Sequence, residues 1–161
     1  MLHMPRLSQN ATNGESWLYV LQVYARYPDT PYCNQLRSIL VPVIECCIKA
    51  EYNTLFRAGT SMHWTTFSTE DREVLRFNPT ARFRLRPPLN PKVILAVAKD
   101  WQVKICYSNI SVSLRRNWST VAPSDAFQTL TRYLQHLWTE TVPEPIPEGL
   151  RRKTELRPAR H

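Results

Sequence analysis

The chain has 161 residues, 43% of them hydrophobic and 21% charged, with a formal net charge of +8. That length and apolar content suffice for one ordinary domain with a core, and no apolar run reaches the ~18 residues that a membrane span requires. The excess of cations points to an anionic partner, such as nucleic acid, phosphates or an anionic membrane, with solubility alone as the competing reading.

In chain order, residues 1–14 are polar and aperiodic and read as a flexible N-terminus. A single α+β domain is expected over 15–142, followed by a Pro/Arg-rich tail over 143–161. Ser16 is a candidate cap for a short helix to about Tyr27, packed through Trp17, Leu18, Val20, Leu21 and Tyr24. Pro28-Asp29-Thr30-Pro31 breaks the chain, and Thr30 followed by Pro31 is a strong helix start. The second helix is expected from Pro31 to about Arg57, because Leu36, Ile39, Leu40, Val43, Ile44, Cys47, Ile48, Tyr52, Leu55 and Phe56 keep a three-four rhythm. Pro42 should bend it and Gly59 should stop it. Its apolar stripe suits a core, with a homodimer seam as the competing use.

Residues 60–80 carry a weak pattern, with Ser68-Thr69-Glu70-Asp71 able to cap one helical turn. Four strands are then expected as an antiparallel meander, at about 81–86, 92–98, 101–107 and 110–115. Lys99-Asp100 and Ser108-Asn109 are short enough to close hairpins. Val93 to Ala98 is continuously apolar, which suits a central strand. A third helix should open at Pro123 and run through Glu140, with Phe127, Leu130, Leu134, Leu137 and Trp138 on one side. Pro143, Pro145 and Pro147 end it in an extended arm, and the basic tail beyond is expected to be disordered.

Eight cations and one acid fall within 81–116, so this stretch holds nearly all of the imbalance. Arg82, Arg84 and Arg86 alternate with Phe83 and Leu85, which in a strand puts three guanidinium groups on one face. Lys104 lies opposite in phase to Val103 and Ile105, and Arg115 and Arg116 extend the track. These six are the candidate nucleic-acid contacts. The competing reading is that the arginines merely protect an edge strand. Trp101 and Tyr107 share the phase of the apolar residues, whereas Trp17 and Trp118 remain candidate stacking platforms.

Little points to catalysis. Phosphate-binding and nucleophile-elbow motifs are absent, and three glycines leave few places for a loop that cradles phosphate. His63 beside Glu70 or Asp71 is the one conceivable base, and Glu45 is a lone carboxylate on the apolar helix. Cys33, Cys46, Cys47 and Cys106 form no Cys-x-x-Cys pair and the histidines stand singly, so neither a metal nor a cofactor is expected. The cysteines fit small buried residues in a reducing compartment. With no secretory signal in the first residues, an intracellular location is expected.

Trp17-Leu18, Leu36, Leu40-Val41, Ile44, Ile48-Lys49-Ala50-Glu51-Tyr52, Arg57 and His63 together resemble the geminivirus pre-coat proteins. In those proteins a short apolar helix and a Leu-rich helix run into an Arg-Ala-x-[Asp/Asn]-Tyr segment and a later His; Lys49-Ala50-Glu51-Tyr52 stands at that place here. The likeness covers residues 17–63. The family's Cys-x-His-Cys segment is missing, and a strand-rich half is added. The expected strand–strand–helix run ending in Tyr133-Leu134-Gln135-His136-Leu137 also resembles the RNA-binding core of tombusvirus silencing suppressors. Both resemblances imply a small viral accessory protein that blocks RNA silencing in the cytoplasm or nucleus of a host cell.

The expectation is therefore a non-enzymatic binding protein that holds RNA, more readily than DNA, or another polyanion on a basic sheet face. The alternative is an adaptor that engages a host protein through its apolar helix or through its tail, where Arg151, Arg152 and Lys153 would be the contacts.

Overall fold

A computed structural model describes residues 7, 11–61, 63–69, 91–108 and 117–155. The chain is α+β: helices pack on one face of an antiparallel meander. Helix α1 spans Asn13–Ala25 and α2 spans Pro31–Lys49. Strands β1 (Arg57–Ser61), β2 (Trp64–Ser68), β3 (Lys92–Val97), β4 (Val103–Ser108) and β5 (Ser119–Val121) pair in chain order. Helix α3 spans Ala126–Thr141 and α4 spans Glu148–Glu155.

Helix α1 starts earlier than expected because a stronger cap precedes Ser16. The Thr12 side chain accepts from the Glu15 backbone N–H at 3.1 Å, and the Glu15 carboxylate accepts from the Thr12 N–H. This reciprocal box satisfies two otherwise orphaned donors, so part of the expected N-terminal arm belongs to the domain. Ser16 is buried instead, and its hydroxyl accepts from the Ala58 N–H at 2.9 Å. Trp17 is also buried, donating its indole N–H to the Phe56 carbonyl at 2.8 Å and packing 4.9 Å from the Phe67 ring. Two adjacent residues of α1 thus fix the start of β1.

Helix α2 begins as the sequence indicates, with Thr30 capping Cys33 and Pro31 in the first turn. It ends well before Arg57. Glu51 takes a left-handed backbone (φ 66), and Tyr52–Thr54 form a 3-10 turn. Tyr52 and Phe56 keep the apolar rhythm because they reach the same core, yet from a turn: the Tyr52 hydroxyl meets Thr131 of α3 at 3.1 Å. Gly59 lies in β1, not at a helix end. A Cβ there would sit 3.0 Å from Oγ1 of Thr66, its cross-strand neighbour, so a larger residue would have to push that side chain aside. Arg37 of α2 closes the helical pair by donating to the Tyr24 carbonyl at 3.1 Å, which also accepts from the Tyr27 N–H, and to the Tyr27 carbonyl at 2.8 Å, at the end of α1.

The apolar stripe of α2 (Leu36, Ile39, Leu40, Val43, Ile44, Cys47) faces the interior and is core, not an exposed seam. It shares one core with Val93, Leu95, Val103 and Ile105 from the sheet and Leu130, Leu134 and Leu137 from α3. Each large apolar side chain that is fully buried stabilises the fold by roughly 1.5–3 kcal/mol.

The sheet has five strands where four were expected. Strands β3 and β4 match the expected 92–98 and 101–107 closely, whereas 81–86 and 110–115 lie outside the described residues. The β1–β2 hairpin was not foreseen. The β3–β4 link is longer than Lys99-Asp100, because Trp101 leaves the strand and takes a left-handed backbone (φ 64). Its N–H bonds to the Ala98 carbonyl at 2.9 Å, and Ala98 N–H bonds to Gln102 at 2.7 Å, giving a three-residue hairpin loop. Residues 148–155 form a helix anchored by buried Leu150, so this part of the tail is ordered on α3.

Buried Tyr24 joins α1 to β2 through its hydroxyl, 2.7 Å from Oγ1 of Thr65. Burial pushes its pKa up from 10.0 to about 12. A raised folded-state value means that the neutral hydroxyl stabilises the fold fully below pH 10, and that this is lost as pH rises through about 12. Urea unfolding followed by circular dichroism should show stability falling by roughly 2–3 kcal/mol across that window. Tyr24→Phe should cost about 1 kcal/mol at neutral pH and shrink the alkaline decline; an unchanged profile in that variant would exclude Tyr24 as the source.

Candidate nucleic-acid interface

Alternation along the strands sorts the sheet into two faces. Ala58, Thr65, Phe67, Val93, Leu95, Val103 and Ile105 point to the helices, and the pairing register puts Arg57, Trp64, Thr66, Lys92, Ile94, Ala96, Lys104, Cys106 and Thr120 on the outer face. Over the described strands the outer face is partly apolar and buried, and the expected arginine row lies outside the described residues. Ile94, Ala96, Cys106 and Ser108 are all buried there. Strand β3 is therefore dry on both sides, as a continuously apolar central strand should be.

Lys104 is the one candidate nucleic-acid contact among the described residues; Arg82, Arg84, Arg86, Arg115 and Arg116 lie outside them. Its position follows from register: it pairs with Ala96 on one side and Thr120 on the other. Its ammonium sits 4.6 Å from the centroid of the Trp118 ring, in cation–π geometry. Trp118 in turn meets Trp64 edge-on, with centroids 5.8 Å apart. Trp64 belongs to β2 and Trp118 immediately precedes β5. Between those strands the small side chain of Ala96 leaves room for two indoles to converge. Lys92 and Arg57 stand on the same face toward its other end. Arg57 also donates to the Ala11 carbonyl at 2.6 Å, which ties it to the start of α1.

The other aromatic expectations divide. Trp17 is buried and offers no stacking platform. Tyr107 does lie on the helix side, with its ring 4.6 Å from His136 of α3. Trp101 packs against Tyr32 at 5.4 Å, and Tyr32 meets His63, which meets Tyr27, so four rings form a ladder at the start of α2. His63 is exposed and meets two of these rings edge-on; Glu70 and Asp71, its supposed partners, lie outside the described residues. Sequence reasoning missed the Trp64–Trp118–Lys104 cluster. Its signal was present in the alternation of Trp64 with Thr65 and Phe67, but the 60–80 stretch offered no strand assignment to place it.

Glu45 is exposed, not buried. Cys47 is buried, which pushes its thiol pKa well up, whereas neighbouring Cys46 is exposed, as their adjacent helical positions dictate. Among the described residues no three His, Cys, Asp or Glu side chains gather into a metal-binding group, and no helix is long and apolar enough to cross a membrane. Arg151 is exposed on α4; the side chains of Arg152 and Lys153 lie outside the described residues. The proline-rich arm is packed against α3, because the Trp138 indole reaches the Glu144 and Pro145 carbonyls at 3.1 and 3.2 Å. That contact fixes the arm's course through its backbone, while Pro143, Glu144 and Pro145 stay exposed.

Comparison with protein-family models, with curated proteins and with solved structures finds no match to this chain.

Lys104 contributes little to the fold if the cation–π contact is its main tie. Lys104→Ala should lower unfolding stability by no more than about 1 kcal/mol, measured by urea titration. A loss of several kcal/mol would show that the ammonium is structural.

Proposed function

We propose that the protein is a non-enzymatic binding protein that holds RNA, or another polyanion, at the basic margin of the outer side of its sheet. The observation that carries this reading is the Lys104 ammonium over Trp118, with Trp64 beside it, on a face reached from the most basic stretch of the chain. A cation and indole edges in one place offer a nucleic acid a phosphate contact and a surface for a base. Strands β3 and β4 both come from 81–116, so the eight cations of that stretch share a short length of chain with this face. In this reading Arg82, Arg84, Arg86, Arg115 and Arg116 supply the remaining phosphate contacts. Lys92 extends the positive end of the face.

The resemblances to viral pre-coat proteins and silencing suppressors suggest where such binding acts. We extend the proposal to a viral accessory factor that suppresses RNA silencing within the host cell. Six phosphate contacts would release counterions on binding to single-stranded RNA, so affinity should fall by about two to three orders of magnitude between ~50 and ~200 mM salt. Fluorescence anisotropy with a labelled RNA measures this directly. Lys104→Ala should flatten the salt slope by about one contact, and Arg82/Arg84/Arg86→Ala should flatten it further. Salt-independent binding, or a triple variant with native affinity, would remove the proposal.

A further inference from the structure

Helices α1 and α2 leave a groove on the side turned away from the sheet. It is an open hollow of about 620 Å³ lined by Leu21 and Ala25 of α1 and by Ser38, Val41, Pro42 and Glu45 of α2. Leu18 extends the same α1 stripe by one turn and is 57% exposed, one of two large apolar side chains so placed among the described residues. Pro42 has no N–H to give the Ser38 carbonyl its helical bond, so the groove floor carries a backbone acceptor without its usual partner in the helix.

We infer that this groove takes a second copy of the same chain in a two-fold dimer. A protruding apolar knob and an apolar hollow occur side by side on one face, which is the self-complementarity that an isologous contact needs. Leu18 and Ala25 lie two helical turns apart with Leu21 between them. A two-fold axis near Leu21 therefore seats each copy's Leu18 at the Ala25–Ser38 end of the other's groove. Charge agrees with that antiparallel arrangement. The Leu18 end carries exposed Glu15 and Glu45 against Lys49, whereas the Ala25 end carries exposed Arg26 and the groove-lining Arg37 against Asp29, so the two ends keep opposite net signs. The two-fold brings Glu45 of one copy toward Arg26 of the other. Parallel packing would set carboxylate against carboxylate instead. The inner apolar stripe of α2 is consumed by the core, so the seam uses the opposite side of the two helices. This proposal stands apart from RNA binding, because the groove and the outer sheet face lie on opposite sides of the helix layer.

Sedimentation of the full chain tests it. The wild-type protein should sediment as a dimer, and Leu18→Glu, which alters an exposed position, should sediment as a monomer with unchanged circular dichroism. Glu45→Arg and Arg26→Glu alone should each weaken the dimer about tenfold, and the double swap should restore it. A monomeric wild type, a Leu18→Glu dimer, or single swaps that are not rescued would each overturn the inference. A groove that instead seats an amphipathic helix of another protein would give the first of those results.

Discussion

Strand β3 has no wet side chain between Val93 and Ala96, and that constraint organises the molecule. Val93 and Leu95 face the helices; Ile94 and Ala96 face the other way and are equally buried. A strand buried on both faces must sit in the middle of its sheet, with every backbone group paired to a neighbour. β2 and β4 supply those neighbours. The sheet then has one side for the helices and one on which polar groups occupy the margins of a dry strip. Lys104 accordingly lies over an indole and not in a solvated row.

The helix layer is held to that sheet by hydrogen bonds in otherwise apolar places. Trp17 to Phe56, Ser16 to Ala58 and Tyr24 to Thr65 join α1 to the β1–β2 hairpin, and Tyr52 to Thr131 ties the turn after α2 to α3. A buried polar group is costly without its partner, so these contacts fix register and orientation in a way that the apolar packing alone does not. The three bonds from α1 explain why this short helix can position both strands of the β1–β2 hairpin. The one bulky residue forced into a left-handed backbone beside the aromatic ladder, Trp101, sits where this layer meets the sheet end. Such a conformation costs on the order of 1–3 kcal/mol, and its ring contact with Tyr32 offsets part of that.

Local chemistry was legible where it acts alone. Thr30-Pro31, the apolar run of β3, the alternation of β4 and the opening of the last long helix near Pro123 all follow from neighbouring residues. What escaped depends on distant partners. Arg57-Ala-Gly-Thr-Ser has little apolar periodicity, and it becomes a strand because Trp17 and Ser16 hold it and Thr66 lies across from Gly59. The rhythm of α2 runs on to Phe56 although the helix stops at Lys49, since a turn can serve the same core. The cation row at Arg82–Arg86 was the most visible functional signal, whereas the convergence of Trp64, Trp118 and Lys104 arises only once five strands are in register. Of the expected site, Lys104 is thus placed on a definite surface by geometry that its own neighbours in sequence do not disclose.

The outer sheet face is the central claim, and the five tryptophans report on it separately. A proton–nitrogen correlation spectrum recorded during RNA titration resolves the indole N–H groups. Trp118 and Trp64 should shift first and return when salt is raised, while buried Trp17 and Trp138 stay still. Shifts confined to Trp101, or none at any indole while RNA is bound, would contradict the account.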